Sequence, residues 1–397
     1  MMLANTIADK MVNVEHPVPV TPEGAGLYVH VPFCEQKCEY CDFYSLTQLD
    51  QIEAFTEALL TEMELRAPQF SGVQFSTVFF GGGTPSLLSP AQLTRIWQRM
   101  ATLFDIHPNA ECSIESNPGT LSFEKLQTFR DLGFNRLSMG VQSFNPDELK
   151  FLGRIHNVAD VLENFANARK AGFRNINIDL MTAFPGISHD SFLRSLAQAK
   201  ALAPEHIACY TLIFEPGTVF FKRMQRGELT PMAEEDEAGY YELAAEILGE
   251  AGYQQYEISN FARETALICR HNLAYWQHRP YLGMGPSAHS FYNNARFSNK
   301  RSLAVYLKNL SVRQLAEDFR EELTHEQLKF EYIFLNLRLK EGMRFDRFAQ
   351  QFGSDFRIEF AATIAKLQSE GLIETSDSHL RLSTKGWMLA DEVAAYF

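Results

Sequence analysis

The run Tyr28-Val29-His30-Val31-Pro32-Phe33-Cys34-Glu35-Gln36-Lys37-Cys38-Glu39-Tyr40-Cys41-Asp42-Phe43 begins as a β-patterned segment and ends on three cysteines spaced C-x3-C-x2-C. Three thiolates this close on one loop can each hold a corner iron of a four-iron four-sulfur cluster. With only three protein ligands, the fourth iron stays open to a small molecule. The competing reading is a structural zinc site, but such sites usually close a fourth position with another Cys or His pair nearby. None follows within this loop. Cys34, Cys38 and Cys41 are therefore expected to be iron ligands at the exit of a strand.

Outward from that loop, short apolar or β-branched runs recur at 27–31, 77–80, 112–115, 136–141, 176–180 and 207–213. Between them Ile52, Phe55, Leu59 and Met63 step by three and four, and 161–171 and 192–202 carry similar apolar stripes, as amphipathic helices do. Strand-helix alternation predicts an α/β fold with a parallel sheet and right-handed crossovers. Six such units make an open partial (β/α)6 barrel with its site at the C-terminal strand ends. The cysteine loop, the glycine loop at Gly81 and Glu115 all fall there. Past Pro231 the pattern changes. Tyr240, Leu243, Ala244, Ile247, Leu248 and Ala251 mark a further helix, 252–292 reads as loop-rich, and the C-terminal part is mainly helical. Within it, 356–397 reads helix, strand, strand, helix, the order of a winged-helix unit. The expected division is a disordered tail over 1–24, a core domain over 25–230, a helix and loop region over 231–310 and a winged-helix-like domain over 311–397.

Lys and Arg number 36 against 49 Asp and Glu, a formal charge of −13. Residues 321–397 hold thirteen acidic side chains against nine basic ones. A nucleic-acid reader should be basic, so no nucleic-acid partner is expected, and the winged-helix-like unit is read as a packing element. Six cysteines, half of them in one cluster motif, do not make a disulfide framework, which points to a reducing compartment. The first 25 residues lack a signal-peptide core, and Asp9, Glu15 and Glu23 argue against a transit peptide. No apolar stretch approaches the roughly 20 residues that span a bilayer. A cytoplasmic location is expected, with membrane contact only through an acceptor protein.

Gly81-Gly82-Gly83-Thr84-Pro85-Ser86 directly follows the strand ending at Phe80. Consecutive glycines let a backbone approach a ligand and offer it unshielded peptide groups. Together with the cysteine spacing, this run resembles the signature of the radical S-adenosylmethionine (SAM) superfamily. There SAM chelates the open iron through its amine and carboxylate, and Gly82, Gly83 and Thr84 match the positions that hold its amino group. The nearer resemblance, from Leu27 onward, is to the branch containing the oxygen-independent coproporphyrinogen III oxidase HemN and the haem chaperone HemW. It rests on the Glu115-Ser116-Asn117-Pro118-Gly119 turn, the Arg136-Leu137-Ser138-Met139-Gly140-Val141-Gln142 strand, Leu152-Gly153-Arg154-Ile155-His156 and Asn177-Ile178-Asp179-Leu180-Met181. The resemblance implies that Tyr28, Tyr40, Glu115, Gln142, Arg154 and Asp179 also line the SAM pocket. Their chemistry suits it: carboxylates accept from ribose hydroxyls and sit near a sulfonium, while Arg154 can pair with a carboxylate.

Two function classes compete within that branch, an oxidase that decarboxylates a porphyrinogen and a carrier that binds haem and passes it to an acceptor. The oxidase pattern has a fourth cysteine two residues after the third and a longer N-terminal arm. Here Phe43 stands at that position and 33 residues precede Cys34. Both departures match the carrier, and oxidase activity is expected to be lacking. His271-Asn272-Leu273-Ala274-Tyr275-Trp276 resembles the haem-binding H-N-x-x-Y-W motif of the carrier branch. It implies His271 as axial ligand, with Cys269 as runner-up and Tyr275 and Trp276 as flat apolar surface. The opposing reading makes His271 a hydrogen-bonded loop histidine and the aromatics core. A radical SAM methyltransferase that opens the haem ring is the third reading. Gly283-Met284-Gly285-Pro286-Ser287-Ala288-His289-Ser290 also has a family look and is read as a turn near the cluster. The expected cofactors are the cluster, SAM and haem, and the expected partners a haem acceptor and a flavodoxin-like electron donor.

Overall fold

The computed structural model describes residues 24–397. The tail expected over 1–24 thus lies outside the described residues, apart from Gly24. Strand β1 (Ala25–Val31) sets Leu27, Val29 and Val31 on one face, all fully buried, against helix α1 (Ile52–Arg66), whose Phe55, Leu59 and Met63 form the matching stripe. Period two meets period 3.6. The same unit repeats through β2 (Gln74–Gly82), α2 (Pro90–Leu103), β3 (Asp105–Ser116), α3 (Phe123–Leu132) and β4 (Arg136–Gln142). It continues through the short α4 (Pro146–Phe151), α5 (Val158–Lys170), β5 (Ile176–Thr182), α6 (His189–Leu202) and β6 (His206–Thr211). All six strands pair parallel in sequence order, so the expected α/β partial barrel forms. Side-chain caps start several helices: Ser89 accepts from the Gln92 amide at α2 and Asn157 from the Asp160 amide at α5, each closing a capping box.

Register fixes what faces the interior. Thr77 lies opposite Glu111, Ser113 opposite Arg136, and Ser138 opposite Asn177, which in turn pairs with His206. All seven side chains are buried. The barrel is therefore apolar on its helix-covered outside and polar within, and these groups must find partners inside. His206 does so through Nδ1 with Asn177 Oδ1 at 2.6 Å and Nε2 with the Tyr256 hydroxyl at 3.0 Å.

The stretch 252–292, expected as loop, instead extends the sheet. After α7 (Val219–Gln225) and α8 (Glu234–Glu250), β7 (Gln254–Gln255) and β8 (Asn260–Ala262) add antiparallel to β6. Helix α9 (Arg270–Trp276) follows, and β9 (Tyr281–Met284) pairs parallel with β1. Then β10 (His289–Tyr292), β11 (Ala295–Asn299), α10 (Leu303–Ser311) and β12 (Glu317–Glu322) complete a twelve-stranded sheet. Strands of two to four residues bury too few side chains to give a readable alternation. The turn at Gly285 is a packing requirement: its φ is +96°, and a Cβ there would come within 2.4 Å of the His30 carbonyl oxygen.

Helix α1 is tied to this added edge by charge. Arg66, fully buried, donates to Glu317 Oε2 on β12 at 2.9 Å and to Asn299 Oδ1 on β11 at 3.2 Å. One turn earlier Glu62 accepts from the Gly285 amide at 2.8 Å, Asn299 Nδ2 at 2.6 Å and the Tyr306 hydroxyl at 2.6 Å. Helix α11 (His325–Asn336) leads into β13 (Met343–Arg344), α12 (Phe345–Phe352), α13 (Phe356–Glu359) and α14 (Ala361–Ser369). The chain ends with β14 (Ile373–Thr375), β15 (His379–Leu382), α15 (Thr384–Trp387) and α16 (Ala390–Ala394). This is the helix-strand-strand-helix order expected, with a separate apolar core around Phe348, Phe356, Leu367 and Val393. Among the described residues, no helix is long and apolar enough to cross a membrane.

Candidate functional site

The cysteine loop leaves β1 and is closed at its base by two backbone bonds, Cys34 N to Leu46 O at 2.9 Å and Leu46 N to Pro32 O at 2.7 Å. Its three cysteines are free thiols, each partly exposed. The glycine loop packs directly beneath. A Cβ on Gly82 would lie 2.5 Å from the His30 ring, and one on Gly83 would lie 2.6 Å from the Phe33 carbonyl oxygen. Both glycines are thus needed to seat the cysteine loop, a demand separate from any ligand. Thr84, buried below, donates to Cys34 Sγ at 3.5 Å and accepts from Asn117 Nδ2 at 3.0 Å. Arg154 completes the chain, donating to Asn117 Oδ1 at 2.5 Å, the Gly140 carbonyl at 2.8 Å and Cys38 Sγ at 3.5 Å.

A cavity of about 540 Å³ opens over this loop, lined by all three cysteines together with Tyr40, Gly82, Gly83, Glu115, Gln142, Arg154 and Asp179. Gln142 ends β4 with φ +69°, beyond a register shift after Met139, and accepts from the Tyr210 hydroxyl at 2.7 Å. A non-glycine residue in that conformation is held there by its surroundings, and the bend re-aims the strand end. Glu115 accepts from the Gly82 amide at 3.1 Å, and burial, with Asp179 nearby, pushes its carboxyl up to about 7. Burial likewise pushes Asp179 up to about 6. Two carboxyls made reluctant to ionise are poised to accept a cation, which would favour their charged forms.

Two expected pocket residues sit elsewhere. Tyr28 lines an adjoining inner chamber of about 320 Å³, its hydroxyl bonded to His30 Nδ1 at 3.0 Å, and Thr84 lies under the floor as a bond to Cys34. Asn117 and Tyr210 line the cysteine cavity without having been singled out as ligands. Tyr210 is signalled only by register, opposite Met181 at the end of β6.

His271 and Cys269 are far more enclosed than an open axial ligand. The α9 N-terminus plugs the barrel floor because Glu111 accepts from the Arg270 amide at 3.0 Å and the His271 amide at 3.1 Å. The His271 ring, 2% exposed, bonds Thr77 Oγ1 through Nδ1 at 2.8 Å and the Tyr275 hydroxyl through Nε2 at 2.9 Å, and stacks 5.0 Å from Phe79. Burial, then Arg136, pulls its pKa down to about 3. Neither nitrogen is free for iron in this arrangement. Cys269 is fully buried, and burial pushes its thiol up to about 12, far from a thiolate. Trp276 packs towards α11, with the Arg338 guanidinium 6.0 Å from its ring centre, and only Tyr275 of the aromatic pair lines the inner chamber.

Comparison with known proteins places this geometry. Residues 28–199 match the model of the radical SAM superfamily, and 323–389 that of the HemN C-terminal domain. The chain is 36% identical to the "Heme chaperone HemW" of Bacillus subtilis (strain 168), over 93% of its own length and 98% of that protein's. The chain belongs to the HemW family of radical SAM proteins. It is also 33% identical to the mitochondrial "Radical S-adenosyl methionine domain-containing protein 1" of Danio rerio, over 95% of this chain and 87% of that one. The solved structure of the coproporphyrinogen III oxidase HemN from Escherichia coli, a radical SAM enzyme, superposes with a TM-score of 0.83 at 26% identity, covering 96% of this chain and 91% of that one.

The cofactors of this superfamily are a four-iron four-sulfur cluster and SAM, and the residues fit both. A single metal ion would draw three thiolates onto one centre. Three thiolates around a cluster, by contrast, each take a different iron. Arg154 Nε is buried without a hydrogen-bond partner, an unmet donor that a ligand carboxylate would satisfy.

Proposed function

We propose that this protein is a haem carrier whose cysteine loop holds a SAM-binding four-iron four-sulfur cluster, and that it passes haem to an acceptor protein. One observation carries the reading: Phe43, two residues past Cys41 and 68% exposed, lines the cysteine cavity, the inner chamber and an outer groove of about 580 Å³. An exposed aromatic ring at that junction offers apolar surface to a planar macrocycle beside the cluster. The family name of its relatives supports the same reading. Cys34, Cys38 and Cys41 would anchor the irons of a bound cluster, whose chemistry is one-electron reduction of the SAM sulfonium; the Gly82–Gly83 backbone and Arg154 would bind the methionyl end, and Glu115 and Asp179 would stand near the positive charge. A cytoplasmic location, a flavodoxin-like electron donor, no nucleic-acid partner and membrane contact only through the acceptor belong to this proposal.

The likeness to HemN across nearly the whole chain supports a second reading, a porphyrinogen oxidase. Anaerobic cluster reconstitution followed by haemin titration and coproporphyrinogen III turnover separates the two. Saturable haemin uptake near one per chain without turnover is the expected result. Turnover at the rate of a genuine oxidase control would restore the enzyme.

A further inference from the structure

The outer groove is walled by β9 and β10 on one side and by the cysteine-loop flank, Phe43 and Tyr44, on the other. Three described histidines line it, and two are committed. His30 bonds the Tyr28 hydroxyl and, through Nε2, the Tyr44 carbonyl at 2.8 Å. His278 is 8% exposed, stacked 4.4 Å from Phe291 and bonded to Glu331. His289 differs from both. It is exposed, its ring has no hydrogen-bond partner among the described residues, and its one ring neighbour is Phe319 at 6.1 Å. His289 and Phe291, two apart on β10, share a face, and Arg296 lies directly opposite Phe291 on β11.

We infer that this groove is the haem site, with His289 as the iron ligand and Arg296 and Arg301 holding the macrocycle's carboxylates; the inference rests on the haem-carrier reading and locates its ligand. In a chain of net charge −13, the groove gathers Arg279, Arg296 and Arg301 against Asp42 and Glu331. Arg296 pairs with Glu331, and Arg301 stands over the Tyr44 ring at 5.8 Å, both near the solvent rim where a dicarboxylate edge would emerge. Tyr44 and Tyr281 supply flat walls, and about 580 Å³ is the size of a cofactor cleft. The groove meets the cysteine cavity at Asp42 and Phe43, so a bound macrocycle lies next to the cluster loop. Tyr275 lines both this groove and the inner chamber, which gives the H-N-x-x-Y-W helix a part in shaping the wall while His271 stays bonded within the floor.

The test is haemin titration of the full-length protein and of His289→Ala, with His271→Ala as comparator and Arg301→Ala as the charge probe. His289 is exposed and unbonded, so its removal leaves the fold intact. His289→Ala should lose the shifted Soret band, bind on the order of tenfold more weakly, and recover the band when free imidazole is added. Arg301→Ala should weaken binding and keep the band position. A wild-type chain that takes up no haemin overturns the carrier reading and this site with it. A wild-type chain that binds, alongside a His289→Ala spectrum that is unchanged or is lost without imidazole rescue, overturns the site alone, as does a band lost only in His271→Ala.

Discussion

At the mouth of the barrel, Cys34, Cys38 and Cys41 are partly exposed free thiols and Arg154 keeps a buried donor unmet. At its floor, the His271 ring has both nitrogens bonded and Glu111 receives the first amides of α9. Both regions carry residues rich in ligand chemistry, and both face the interior of one sheet. They differ in whether protein atoms already fill their hydrogen-bonding capacity. A group with a vacant partner is available to a ligand. One whose partners are all internal is architecture, whatever its intrinsic affinity for a metal.

The largest effect that could break this contrast is loss of the cluster. Cys38→Ala should fall from about four irons per chain to a small residue after anaerobic reconstitution, with the fold retained, because Cys38 is partly exposed and contributes little packing. A full complement of iron with an unaltered paramagnetic response to SAM would assign the cluster to other ligands. Next, Glu111→Ala should act on the floor alone. It strands the buried amides of Arg270 and His271, at a cost of about 2 to 4 kcal/mol, read as a lower urea midpoint at unchanged slope. Iron content should stay at the wild-type level; if iron disappears while the midpoint holds, mouth and floor are not separable.

The smallest effect sharpens the electrostatics of the mouth. Glu115 is raised to about 7 and Asp179 to about 6, each by burial first. A carboxyl whose folded pKa lies above its unfolded one binds protons more tightly when folded. Its contribution is therefore complete below the ordinary carboxyl range and is lost as pH rises through about 6 and 7. The cofactor-free protein should lose stability across that window, and Glu115→Gln should flatten the part due to Glu115. SAM affinity should move the other way, rising with pH as the carboxylates ionise. A Glu115→Gln stability profile that overlays the wild type would remove Glu115 from this account.

The six parallel strands were legible because a strand buried under helices carries a dense apolar run, as Leu27, Val29 and Val31 do. β12 was not: Glu-Asp-Phe-Arg-Glu-Glu is an exposed edge strand whose charges discourage pairing with other chains and erase the apolar signal. At the site, the spacing of the cysteines and the resemblance together placed Tyr40, Gly82, Gly83, Glu115, Gln142, Arg154 and Asp179 about one cavity. Tyr28 and Thr84 fell just outside it: Tyr28 lies deeper on β1, bonded to His30 and lining the inner chamber, and Thr84 is taken up by Cys34 and Asn117. Phe43 was read as a missing cysteine, and its position at the junction of three cavities depends on contacts far apart in sequence. The family look of 283–290 led to a turn; the exposure of His289 could be seen only in three dimensions.

Arg66 gives that outer edge an unexpected kinetic character. β12 is short and almost wholly exposed, the kind of strand that frays first. Peeling it away would take Glu317 from the buried Arg66 guanidinium, which would keep Glu62 at 3.9 Å and Asn299, so opening of the strand carries an electrostatic cost felt on α1. Because α1 also packs on Phe33 at the root of the cysteine loop, with the Phe33 and Phe55 rings 5.4 Å apart, one helix carries both the ion pair of the outer edge and the packing beneath the iron ligands.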